Sequence, residues 1–147
     1  MAKLTKSIEF EASPEKVFTF INDTEKMNKA GAGFTEVEYT SKGPVGVGTT
    51  MHIVAAGGGN TAEWDMEVTE FVKNKKVAMR TIGASKFKMT DLWTLEPTAK
   101  GTKLTYNTEY ELPYSVLGKL IDKLKVSKDI EKGFTKILAN MKKALEA

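Results

Sequence analysis

The sequence predicts an α+β fold: a seven-stranded antiparallel sheet wrapped around a long C-terminal helix, with two short helices inserted after the first strand. Two patterns carry this prediction. From Tyr114 to Ala147, Leu117, Leu120, Ile121 and Leu124, then Ile130, Phe134, Ile137, Leu138, Met141 and Leu145, recur at three- and four-residue spacings, which puts apolar side chains on one helix face. Before them, most of the chain alternates apolar and polar residues; Ala62, Trp64, Met66 and Val68 face one way while Glu63, Asp65 and Glu67 face the other. A helix with one apolar stripe needs an apolar surface, and such a sheet offers one. Between a curved sheet and the helix it grips, a cavity can remain.

The elements follow in order. Leu4 to Phe10 reads as a strand, with Ile8 and Phe10 on one face. Ser13 can cap a helix that Pro14 starts, and Glu15 complements its dipole, so Val17, Phe18, Phe20 and Ile21 form a short helix ending near Asn22-Asp23. A second short helix from Thr24 to about Lys29 is broken by Gly31-Ala32-Gly33. Strands are then expected at Phe34 to Thr40, Thr49 to Ala55, Ala62 to Val68, Val77 to Ile82, Lys86 to Leu95 and Lys103 to Leu112, with Phe71 to Lys76 as a turn. Consecutive hairpins make this an antiparallel meander.

At 147 residues one domain spanning 1–147 is expected, long enough for a single core. Hydrophobic residues at 41% and charged residues at 28% argue against extensive disorder. The absence of cysteine excludes disulfides, thiolate metal sites and cysteine nucleophiles, and a lone histidine, His52, excludes a multi-histidine metal site. No metal and no cofactor are expected. The N-terminus lacks a signal-like apolar run and no segment is long and apolar enough to span a membrane, so a cytoplasmic location is expected. Asn22-Asp23-Thr24 fits a glycosylation sequon but is more simply the end of a helix.

Gly43-Pro44-Val45-Gly46-Val47-Gly48 invites a phosphate-loop reading. No Gly-Lys-Ser/Thr follows, and a strand rather than a helix N-terminus comes next, so the amide cradle is missing. Residues 114–147 hold eight lysines and four acids, a net +4 that leaves the first 113 residues at −1. Such a face could touch phosphates or anionic lipid, but its acids are interspersed and a solvated face explains it. With Arg80 the only arginine, no specific nucleic-acid partner is expected.

The first strand followed by Ala12-Ser13-Pro14-Glu15-Lys16-Val17-Phe18, the Gly43 to Thr49 turn, the run Trp64 to Lys75 and the leucine- and lysine-rich final helix together resemble the START-like (Bet v 1-like, SRPBCC) superfamily, nearest its polyketide cyclase/dehydrase-type branch. The resemblance covers essentially the whole chain. It implies a helix-grip fold with an internal apolar cavity. The superfamily includes lipid and hormone carriers, quinone-binding proteins, aromatase/cyclases and relatives of the Hsp90 co-chaperone activator domain, and fold alone does not choose among them.

Three readings follow. The leading one is a non-enzymatic or weakly enzymatic binder of a small hydrophobic molecule such as a lipid, a quinone or a polyketide-like compound, held between sheet and C-terminal helix. The second is a cyclase or dehydratase. The third is a protein-interaction module in which a surface matters. Oligomeric state is not legible.

Phe87, Met89, Trp93 and Leu95 on the concave side would place Asp91 there too, a carboxylate facing an apolar interior whose burial would raise its pKa. Tyr106, Thr108 and Tyr110 share one face of the last strand; Asp91, Tyr106 and Tyr110 are the candidates for orienting polar groups or moving protons. Trp64, Met66, Met79, Leu117, Ile121 and Phe134 complete the candidate lining, and methionine suits a tolerant pocket. His52 could be a general base; one register sends Met51 and Ile53 inward and His52 to solvent, the other reverses them, and the first is favoured. No serine sits in a Gly-x-Ser-x-Gly context, so a nucleophilic triad is unsupported.

The apolar groups at 117–124 and 130–145 are out of phase by roughly a quarter turn at about 3.6 residues per turn. A break at Val126-Ser127-Lys128-Asp129, with Ser127 capping a new start, would make Tyr114 to Lys125 a semi-independent lid over the cavity mouth.

Overall fold

The structure, a computed structural model, describes residues 2–57, 60–83, 88–111 and 123–147. Element order is β1 (Ala2–Phe10), α1 (Pro14–Ile21), α2 (Thr24–Lys29), β2 (Phe34–Tyr39), β3 (Thr50–Gly57), β4 (Asn60–Val72), β5 (Lys76–Ile82), β6 (Lys88–Pro97), β7 (Thr102–Glu111) and α3 (Lys123–Leu145). The strands form one antiparallel sheet in the order β1-β7-β6-β5-β4-β3-β2. β2 to β7 make a meander, and β7 then pairs with β1 from Ala2↔Tyr110 to Phe10↔Thr102. The first two strands are therefore opposite edges, and α1 and α2 carry the chain from one to the other.

Local chemistry sets both short helices. The Ser13 hydroxyl accepts from the Lys16 amide at 3.3 Å, with Pro14 at the first helical position. Asp23 accepts from the Lys26 amide at 3.1 Å, so the sequon is a helix cap. Asn28 docks β2: its Nδ2 donates to Phe34 O at 2.7 Å and its Oδ1 accepts from Phe34 N at 2.8 Å.

Two features differ from the sequence reading. β4 continues to Val72 rather than turning at Phe71, because a bulge between Val68 and Glu70 resets the alternation. With that extra residue, Val68 and Phe71 both face inward, Val68 buried and Phe71 packed against both core clusters. The second difference is in α3, which runs unbroken through Val126-Ser127-Lys128-Asp129. That stretch holds neither Pro nor Gly to interrupt the backbone ladder, and Ser127, instead of capping, takes a hydrogen bond from the Tyr110 hydroxyl at 3.3 Å. The expected lid lies for its larger part outside the described residues, and 123–125 belong to the same helix as the back half.

α3 lies along β1 and is fastened at both ends. Lys6 Nζ meets Glu131 Oε1 at 2.6 Å, Lys142 Nζ donates to Glu9 O at 2.7 Å, and Glu11 N donates to Glu146 Oε1 at 2.8 Å. Asn140 Nδ2 donates to Ala30 O at 3.0 Å, tying the helix to the end of α2. Two apolar clusters result. The larger joins Phe10, Val17, Phe18, Trp93, Leu95, Leu104, Tyr106, Leu138 and Met141; the smaller joins Met51, Ile53, Met66 and Val68. Phe34, Phe71 and Met79 touch both.

On the outer face, His52 takes the first of the two registers, with Met51 and Ile53 buried beside it. Its Nδ1 lies 2.8 Å from Asp65 Oδ1 and its Nε2 3.7 Å from Glu63 Oε2. The Asp65 hydrogen bond, helped by the charges of Asp65, Glu63 and Glu36, raises the imidazole pKa above 6.5. A raised folded-state pKa stabilises the fold fully below the unfolded value near 6.5, and that contribution disappears as pH rises through the folded value. Chemical-denaturation curves of the wild type and His52→Gln should therefore diverge most below about pH 6.5 and converge at alkaline pH.

Gly101 offers a sharper test of packing. A Cβ there would meet Phe10 O, Ala12 N at 2.7 Å and Ala12 O at 2.8 Å, all backbone, where the β6–β7 turn closes on the end of β1. The neighbouring Thr102 hydroxyl, fully buried, donates to Ala12 O at 2.7 Å. Gly101→Ala should cost about 1–3 kcal/mol, read as a lower urea midpoint at unchanged slope.

Candidate functional site

The inward-facing residues of β3 to β7 and the inner face of α3 enclose a cleft of about 350 Å³. Strand alternation sets its floor: Met51 and Ile53 of β3, Trp64, Met66 and Val68 of β4, Val77 and Met79 of β5, Met89, Asp91 and Trp93 of β6, and Tyr106 of β7. Phe134 and Ile137 of α3 close it from the helix side, and Ile21, Asn22, Thr24 and Met27 from the short helices. Phe34, Val37, Tyr39 and Val45 complete the β2 side. Five of the seven methionines and both tryptophans line it, so the wall is apolar and, through the thioethers, adaptable. A larger hollow of about 700 Å³ between α1, α2 and the end of α3 is a surface depression rimmed by lysines.

Besides Asn22 and Thr24 at the short-helix edge, a buried polar pair interrupts this wall. The Tyr106 hydroxyl donates to Asp91 Oδ1 at 2.7 Å, and both residues are buried. In the ladder Asp91 stands opposite Thr108 and Trp93 opposite Tyr106, so the phenol reaches diagonally across the strand pair. Burial pushes the Asp91 carboxyl pKa up; the Tyr106 hydrogen bond resists this, and the Thr108 hydroxyl resists it more weakly. That hydroxyl is buried and has no hydrogen bond of good geometry. Tyr106 is pushed well above the ordinary phenol value, by burial first and by the Asp91 charge second. At neutral pH the phenol therefore keeps its proton and donates it to the carboxyl.

Aromatic stacking fixes the pair in place. Trp93 and Tyr106 have ring centroids 4.3 Å apart, and Tyr106 stacks on Phe134 at 4.5 Å and 23°. The contact joins β6, β7 and α3 above the carboxyl.

Of the sequence-derived candidates, the structure brings together Trp64, Met66, Met79, Met89, Asp91, Trp93, Tyr106 and Phe134. Thr108 and Tyr110 are buried on the same strand face but do not reach the cleft wall; Tyr110 points its hydroxyl at Ser127 instead. Phe87, Leu117 and Ile121 lie outside the described residues. His52 sits on the outer face, away from the cleft, which removes it as a base for this site. Sequence reasoning missed the wall from β2, β3 and the short helices. The signal was present in Met51 and Ile53, which alternate inward around His52. Among the described residues no group of His, Asp and Glu could hold a metal ion, and no helix is long and apolar enough to cross a membrane.

Solved structures share this architecture. The chain is similar to the crystal structure of TTHA0849 from Thermus thermophilus, with 20% identity and a TM-score of 0.78 over 98% of this chain and 97% of that one. It is similar to the crystal structure of Ara h 8.0201, with 16% identity and a TM-score of 0.70 over 98% and 97%. It is also similar to the solution structure of the Aha1 dimer from Colwellia psychrerythraea, with 19% identity and a TM-score of 0.66 over 99% and 97%. At these identities the likeness speaks to fold alone. A comparison with curated proteins finds no match. Residues 1–146 match the family described as polyketide cyclase / dehydrase and lipid transport, and the chain belongs to that family.

Proposed function

We propose that this protein binds one small, mostly apolar molecule in the cleft between sheet and α3, with Asp91 orienting a hydroxyl or other polar group of that molecule. The observation that carries the reading is a buried carboxyl–phenol pair set in a mostly apolar hollow. About 350 Å³ is near the lower end of the usual ligand-pocket range of roughly 300–1,000 Å³. The occupant is therefore a single chain or a compound of a few rings rather than a two-tailed lipid. A surface-interaction module would need no such hollow. A cyclase or dehydratase would need a second proton-handling group beside Asp91, and Tyr106 is a poor one because its proton is committed and its pKa lies well up. Binding is the reading these groups support best.

Native mass spectrometry of protein purified from its own host should reveal a co-purifying small apolar compound. The added probe N-phenylnaphthylamine should displace it and quench tryptophan emission saturably at one probe per chain, since both tryptophans are on the wall. Weak, non-saturating quenching and a clean apo mass would overturn the proposal.

The polar pair predicts a pH signature. The folded state holds the Asp91 proton more tightly than the unfolded chain, so this residue removes stability as pH rises from the ordinary carboxyl value of 3.8 through the raised folded value. Asp91→Asn cannot ionise, so its stability relative to wild type should rise across that window. Tyr106→Phe leaves the buried carboxyl without its donor and should cost about 1–3 kcal/mol, most visibly at neutral pH.

A further inference from the structure

We infer that the loop between β2 and β3 is a docking tip that seats the cleft mouth on the surface of a lipid bilayer. This rests on the proposed binding of an apolar molecule and says where that molecule enters. The large apolar side chains most exposed among the described residues are Tyr39, Val45, Val47 and Val72, at 48%, 39%, 70% and 48%. All four lie at one end of the sheet, where β2 and β4 end and β3 begins. Tyr39 and Val45 are also part of the cleft wall, so the cleft reaches the surface at this apolar rim. Elsewhere the described surface keeps its large apolar residues covered.

Gly43 and Gly48 have φ of +93° and +90°, and a Cβ built on Gly43, Gly46 or Gly48 meets nothing within 4 Å. The loop is tied to β4, with Gly48 N donating to Val68 O and Val68 N donating to Thr49 O, each at 2.8 Å, and it presents Val45 at the cleft mouth and Val47 to solvent. Such a tip gains nothing from water and suits an acyl-chain boundary. A second copy is a poorer occupant: a stable dimer buries about 800 Å² per partner, well beyond one tyrosine and three valines that are each partly covered. Charge at the rim is mixed, with Lys42 and Lys73 against Glu15, Asp23 and Glu25, so apolar contact and not headgroup charge carries the docking.

The test compares wild type with Val47→Asp, a change at an exposed site that leaves the core alone, and with Ala139→Asp on the outer face of α3 as control. Flotation with phosphatidylcholine vesicles reads docking without any ligand. Wild type and Ala139→Asp should float, and Val47→Asp should lose at least five-fold of the bound fraction. Stopped-flow transfer of N-phenylnaphthylamine from the same vesicles, read by energy transfer from tryptophan, should speed up with vesicle concentration for wild type. For Val47→Asp it should fall at least five-fold, with unchanged affinity for probe supplied from solution. Equal flotation and transfer for wild type and Val47→Asp would overturn the inference, as would a solution dimer that Val47→Asp dissolves. Failure of the probe to bind from solution while flotation still depends on Val47 would instead overturn the ligand-binding reading and leave the docking tip standing.

Discussion

Tyr106 is the constraint on which the rest of the structure depends. Only 2% exposed, it stacks on Trp93 and Phe134, lines the cleft and supplies the proton that Asp91 accepts. Its ring can sit between sheet and helix only if α3 lies at one height and rotation over β7. The salt bridge from Lys6 to Glu131, one turn before Phe134, and the Lys142 contact to Glu9 hold the helix at that height. Moving the helix would unstack the ring, and losing the ring would leave a carboxylate buried in apolar surroundings, a cost comparable to a large share of a domain's net stability.

The cleft exists because the apolar interior is divided. A single continuous core would fill the concave face, yet the buried residues separate into a cluster under β1, β5 to β7, α1 and α3 and another under β3 and β4. The bulge in β4 places one of the few residues that bridge the two clusters. By adding a residue after Val68 it turns Phe71 inward, where its ring meets Phe18 at 5.3 Å and ties β4 to α1. The strands thereby stay anchored at the end of the sheet where the chain crosses from β1 to β2, while their middle parts stand away from α3 with methionines facing the gap.

Much of this was legible from alternation and capping chemistry. Period-two patterns located the strands, Ser13-Pro14 located the first helix start, and the inward sequence Met89, Asp91, Trp93, Leu95 placed the carboxyl on the concave face; Asp23, read as the end of the first helix, turned out to cap the second. The errors have physical causes. A bulge is invisible to a strict period of two, so Phe71 read as a turn residue when the phase slipped. The helix break was argued from a phase difference and from Ser127 as a possible cap, but nothing in Val126 to Asp129 interrupts a backbone ladder. For β2 and β3 the sequence permits two registers, and only the pairing of His52 with Asp65 on the outer face decides that Met51 and Ile53 line the cleft. Register is a long-range property, set by neighbours absent from the local pattern.

The energetics of the hollow bear on what it is for. At about 24 cal/mol per Å³, a dry and rigid void of about 350 Å³ would cost on the order of 8 kcal/mol, comparable to the whole stability of a domain. The mouth at Tyr39 and Val45 admits water and lowers that cost, but water needs two to four polar partners to be held well. The Asp91–Tyr106 pair and the Asn22–Thr24 corner give such partners at only a few points of the wall. Most of the interior is then poorly hydrated, and an apolar molecule that fills it regains dispersion contacts along the methionine wall while displacing water that had little to hold. Affinity for an apolar occupant and stability of the fold thus have a common origin, and occupancy raises stability with the logarithm of ligand concentration over its dissociation constant.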